Sequence, residues 1–168
     1  LLDLQDFPGQ GTALIGLLDA FMDSKGLITP EEFSQFCNKV VPLALMEKYC
    51  WVNDEPFKGT IQVANYSETA LKSQKVRWEL KNAAGEIVAQ DMVKTDIPAG
   101  GLTDITSFSV DNSKIAKAAR LSFTISLEGT GYKNSYPVWI YPGGVGTGIT
   151  EGVVISDRLD NKTLGDLE

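Results

Sequence analysis

The 168-residue sequence predicts a mainly β fold, an immunoglobulin-like antiparallel sandwich of about seven short strands behind a helical segment. Three observations carry this. Val76, Trp78 and Leu80 alternate with Arg77, Glu79 and Lys81, and Leu121, Phe123, Ile125 and Leu127 alternate with Ser122, Thr124, Ser126 and Glu128. Successive strand side chains point to opposite faces, so each run has one apolar and one polar face. Turn residues then punctuate the chain at Asn82–Gly85, Pro98–Gly101 and Gly129–Gly131.

The organising unit is the hairpin Lys75–Val93, with Asn82-Ala83-Ala84-Gly85 as its turn and Glu86–Met92 as its return strand. A lone hairpin is unstable in water and needs further strands. Thr60–Tyr66, Ile105–Val110, Leu121–Leu127 and Tyr136–Tyr141 supply them, and Ala116–Arg120 reads as a helical turn or a loop.

The N-terminal third has a different texture. Leu1–Phe7 reads as a short strand ended by Pro8-Gly9-Gln10-Gly11. Thr12 is placed to cap a helix whose apolar stripe is Leu14, Leu17, Leu18 and Phe21, with Gly26 as its stop. Thr29-Pro30-Glu31-Glu32 has the capping-box spacing and opens a second helix carrying Phe33, Phe36 and Val40, which Pro42 ends or kinks. Leu43–Cys50 is a short apolar segment of open type. After Tyr141, Pro142–Gly148 has linker composition, Gly152–Ser156 reads as a buried strand, and Asp160 caps a helix through Leu167. The divisions are therefore 1–50, 51–142 and 143–168, the last a Gly-rich linker and the start of an α/β domain.

Composition narrows function by exclusion. A net charge of −7 disfavours nucleic acid and anionic membrane, and no apolar run approaches the roughly 20 residues that span a bilayer. With no histidine, a Ser-His-Asp triad, a Cys-His pair and histidine-ligated zinc are ruled out within this chain. Cys37 and Cys50 are too few for a disulfide framework and read as two small buried thiols, with a single bridge as the alternative. Phe21–Glu32 imitates an EF-hand loop, but Phe21 and Lys25 stand where calcium needs oxygen donors, leaving Asp23 and Glu32; helix capping accounts for the pattern better. No cofactor is expected.

The segments LQDFPGQGTA and SKGLITPEEF, within Leu1–Ala44, resemble the end of the catalytic barrel in glycoside hydrolase family 2, and more narrowly β-galactosidase-like members from gut Bacteroides. GTIQVANYS and NSYPVWIYP resemble the immunoglobulin-like domain that follows that barrel. The resemblance implies a retaining hydrolase of carbohydrate breakdown whose two catalytic glutamates lie on barrel strands outside this chain, so this chain itself would have no catalytic residue. It makes Leu1–Phe7 the last barrel strand, with Gln5 and Asp6 on the rim of the parent's sugar pocket, because barrel sites sit at the C-terminal ends of strands. Met22 stands where the family pattern has an aromatic.

The implied role is an accessory scaffold between the barrel and a C-terminal domain, in an exported protein. Its partners would be the rest of the parent chain, or other copies through exposed residues 1–22. The alternative is a carbohydrate-binding module using Trp139 and Tyr141 as a sugar platform.

Overall fold

A computed structural model describes residues 4–7, 9, 14–144 and 165. Its strands are β1 (Val40–Leu45), β2 (Cys50–Val52), β3 (Phe57–Asn65), β4 (Leu71–Lys81), β5 (Ile87–Ile97), β6 (Gly101–Val110), β7 (Ala119–Leu127) and β8 (Lys133–Tyr141). They form a three-stranded sheet of order β1-β3-β6 and a five-stranded sheet of order β2-β8-β7-β4-β5. Pairing is antiparallel throughout except for β2 alongside β8.

The alternating runs do what their period dictates. Val76, Trp78 and Leu80 of β4 and Leu121, Phe123, Ile125 and Leu127 of β7 are all buried between the sheets. Val76 opposes Leu127, Trp78 opposes Ile125 and Leu80 opposes Phe123, which puts two apolar faces in one layer. The opposite sheet contributes Phe57, Ile61, Val63 and Phe108. Phe108 and Phe123 meet across the layer with centroids 4.5 Å apart, and Trp78 lies 5.7 Å from each. Polar contacts also join the sheets. Asn134 Nδ2 donates to the carbonyl of Pro42 at 3.0 Å, and the Tyr136 hydroxyl accepts from the Ala44 amide at 3.2 Å. Burial raises the Tyr136 pKa above its ordinary value.

The turns follow their residues. Gly85 has φ 82, which a residue with a Cβ adopts at a cost, and the Asn82 side chain accepts from the amides of Ala84 and Glu86. Both strand prolines sit where no ladder bond is lost. Pro42 is on the outer strand β1, and Pro137 lies in the stretch of β8 that three-residue β2 does not reach. At the free edge of β5, Asp91 lies opposite buried Trp78 and stays exposed, a charge that discourages further strand addition.

Several expectations are corrected. The mainly β sandwich is as expected, with eight strands against about seven, but its first strand starts at Val40, ahead of the expected boundary at Trp51. Val40, read as part of a helical stripe, starts β1, because pairing with β3 satisfies its backbone and buries Val40 and Val41 together. The second helix has the expected capping box, with Thr29 accepting from Glu32 N and the Glu32 carboxylate from Thr29 N, but α1 covers only Pro30–Phe33 and buries nothing. A helix this short gains stability only from packing, which it lacks.

No helix forms over residues 14–21. There Leu18 bridges Gln5 and Ser24, the Asp6 amide donates to Leu18 O and the Leu18 amide to Leu4 O, both at 2.9 Å. These cross-segment bonds replace the helical ones, and Gly16 inside the stripe weakens a helix further. Cys37 and Cys50 are free and both exposed, not buried. Residues 116–118 are loop. The Thr12 cap, the linker beyond Gly144 and the strand and helix read in its tail lie outside the described residues.

Candidate functional site

The segment before α1 is held by one polar knot. The Asp6 carboxylate, almost wholly buried, accepts from the Gly16 amide at 2.8 Å and from Lys25 Nζ at 3.0 Å. Lys25 is the main reason that its pKa lies below the ordinary value. The neighbouring Gln5 donates from Nε2 to the carbonyl of Ala20 at 2.9 Å. A Cβ on Gly16 would come within 2.4 Å of the Asp6 amide nitrogen, so the two backbones cross where only glycine fits. Both side chains read as pocket rim are thus bound to their own segment.

Around this knot the segment leaves apolar side chains in solvent. Phe21 is 85% exposed, and Leu14, Phe7, Met22, Ile15 and Leu27 also stand out. The sandwich core, by contrast, is closed.

Trp139 and Tyr141 share the outward face of β8, Trp139 half-buried and Tyr141 exposed, while Val138 and Ile140 fill the core. Trp139 lies opposite Cys50 on one side and Arg120 on the other. The fold does not hold these aromatics to Gln5 or Asp6 by any hydrogen bond among the described residues.

A third feature escapes sequence reading. An open cleft of about 730 Å³ runs between the Leu27–Phe36 segment and residues of β7, β8 and the β4–β5 turn. Glu32, Gln35 and Phe36 stand on one wall, Arg120, Ser122 and Pro137 on the other. Thr29 is the principal cause of a lowered Glu32 pKa, so this wall is anionic at neutral pH. The turn residue Asn82 could have been noticed, but nothing in its sequence context joins it to Phe36.

None of the described residues forms a group of three or more metal-ligating side chains, and no helix among them is long and apolar enough to cross a membrane.

A family model described as a domain of unknown function (DUF8488) matches residues 55–142, more than half of the chain and all of β3 to β8. No curated protein matches. Solved structures with a similar arrangement include the β-glucuronidase of Parabacteroides merdae, 7% identical over 61% of this chain and 14% of that chain, with a TM-score of 0.39. Another is a putative β-galactosidase from Bacteroides fragilis, 10% identical over 59% of this chain and 15% of that one, TM-score 0.37. A third is the sporulation control protein Spo0M of Bacillus subtilis, 12% identical over 62% and 49%, TM-score 0.38. The chain thus spans about one seventh of the length of the two glycoside hydrolases.

Proposed function

The chain belongs to the DUF8488 family, and from that premise we propose that it is the non-catalytic β-sandwich region following the catalytic barrel of a glycoside hydrolase family 2 type enzyme, exported and engaged in carbohydrate breakdown. One observation carries the reading. The sandwich buries its own core, whereas the described residues ahead of α1 pair only through isolated bridges and leave Leu14, Phe21 and Met22 bare. Exposed apolar groups gathered on one segment signal a surface that is covered in the working protein. Under this reading the cover is the preceding barrel, and the glutamates that cleave the sugar belong to it. The sandwich then acts as a spacer that fixes the barrel against whatever follows.

A second reading has its own support. Trp139 and Tyr141 face outward two residues apart on β8, as a carbohydrate-binding surface requires.

Amide hydrogen exchange, combined with a nitrophenyl galactoside assay, tests the first reading. The expected result is strong protection in β3, β4 and β7, weak protection over residues 14–28, and no turnover above blank. Protection of residues 14–28 equal to that of β7 would show that the segment is complete without a barrel. Turnover by this chain would remove the non-catalytic assignment.

A further inference from the structure

We propose that the cleft between the Leu27–Phe36 segment and β7–β8 is a binding site for a short neutral oligosaccharide. The inference does not depend on a catalytic barrel lying beside this chain. Its volume, about 730 Å³, falls within the usual range for sites that enclose small ligands.

The lining chemistry selects the ligand class. Arg120, Gln35 and Ser122 make no side-chain hydrogen bond or ion pair among the described residues, although six other cations of the chain, from Lys25 to Lys81, are paired. The cleft therefore offers a five-donor guanidinium, an amide and a hydroxyl that no described side chain or carbonyl engages. Glu32 gives Oε2 to the Thr29 amide and keeps Oε1 as an acceptor on the same cleft. Phe36, 54% exposed, and Pro137 add apolar surface between these polar groups.

A sugar ring needs this mixture. Each hydroxyl both donates and accepts, and the C–H face of the ring packs on apolar and aromatic groups. One arginine facing one carboxylate leaves the site formally neutral, so an anionic ligand would meet Glu32 without a second cation to offset it. The open form suits a chain-like ligand that runs along the cleft. These residues are distinct from the outward pair Trp139 and Tyr141, which do not line it.

The experiment is an amide-resolved NMR titration of the whole chain with cellotetraose, xylotetraose and β-1,4-galactotetraose, and with tetragalacturonate as the charged comparison, each to about 10 mM, above the dissociation constants of weak sites. At least one neutral probe is expected to shift the amides of Phe36, Arg120 and Ser122. Arg120→Ala should weaken that probe about tenfold, the usual effect of losing a hydrogen bond from a charged donor. Phe36→Ala, on a separate element, should weaken it independently. Both side chains are exposed, so folding is preserved and is checked in the same spectra. Three results would each overturn the proposal: no cleft shift with any neutral probe, shifts confined to Trp139 and Tyr141, or tighter binding of tetragalacturonate. None of them bears on the exchange of residues 14–28, so this site and the barrel-adjacent role fail separately.

Discussion

Phe123 ties the two sheets together in the aromatic layer, and Phe123→Ala measures how far the sandwich depends on that layer. Its ring is fully buried on β7 and meets Phe57 at 5.3 Å, Phe108 at 4.5 Å and Trp78 at 5.7 Å, so it joins both sheets. Truncating a buried phenylalanine costs about 3–5 kcal/mol through lost transfer energy and the cavity left behind. Three aromatic neighbours, each pair contributing about 0.5–1.5 kcal/mol beyond area, place this site at the upper end. The neighbours are themselves packed across two hydrogen-bonded sheets and cannot collapse into the space. Trp139→Ala is the internal comparison: the same class of truncation on the half-exposed outer face should cost about 1 kcal/mol or less.

Urea unfolding followed by tryptophan fluorescence reads both variants, with buried Trp51 and Trp78 as reporters. With a slope of about 2 kcal/mol per molar urea, a loss of 4 kcal/mol lowers the midpoint by about 2 M at unchanged slope. A typical domain of 5–15 kcal/mol would remain folded in buffer. If Phe123→Ala moved the midpoint no further than Trp139→Ala, the aromatic layer would not be the core, and the face assignment of β7 and β8 would fail with it.

Gly59→Ala should destabilise the sandwich by about 1–3 kcal/mol, because the new methyl would stand 2.6 Å from the Leu45 carbonyl oxygen and 2.9 Å from the Phe108 ring, forcing the outer strand β1 to move. Gly101→Ala, with nothing within 4 Å, should change the urea midpoint far less, and equal effects would contradict the close approach of β1 to β3. Stability should also fall in acid. Lys25 lowers the pKa of Asp6, Lys48 that of Glu55, Ser73 that of Asp96, Ser113 that of Asp111 and Arg77 that of Glu128. Lowered carboxylates stabilise the fold while ionised, fully above the unfolded values of about 3.9 for Asp and 4.3 for Glu, and that stability is lost as pH drops through the lower folded values. Urea midpoints should be level from pH 7 to about 5 and decline below it, with Glu128→Gln declining less steeply; a rise in midpoint below pH 5 would contradict the ion pairs.

What could be read from the sequence divides along physical lines. The hairpin Lys75–Val93 and the β7 run were legible because a strand buried on one face and wet on the other writes its period into the chain, and Trp78 and Phe123 lie where that period puts them. β1 was not legible because Val40 and Val41 are buried consecutively and Pro42 follows, a pattern without alternation on an outer strand whose unpaired side tolerates proline. Periodicity also states only which side chains would share a face, never whether anything covers it. Leu14, Leu17, Leu18 and Phe21 have helical spacing, but with no described surface to receive that stripe the backbone of Leu18 bonds to Leu4 and Asp6 instead, while the Leu17 carbonyl accepts from the Lys25 amide and the Asp19 amide donates to the Asp23 carbonyl. The same reasoning explains why the cleft was invisible. Phe36 is far in sequence from Arg120 and Pro137, which lie on the paired strands β7 and β8, and each taken singly is an ordinary surface residue. Only the folded sandwich, by setting the capped turn at Thr29 beside β7 and β8, brings the donors of Arg120, Gln35 and Ser122, the Glu32 carboxylate and the Phe36 ring onto one cleft.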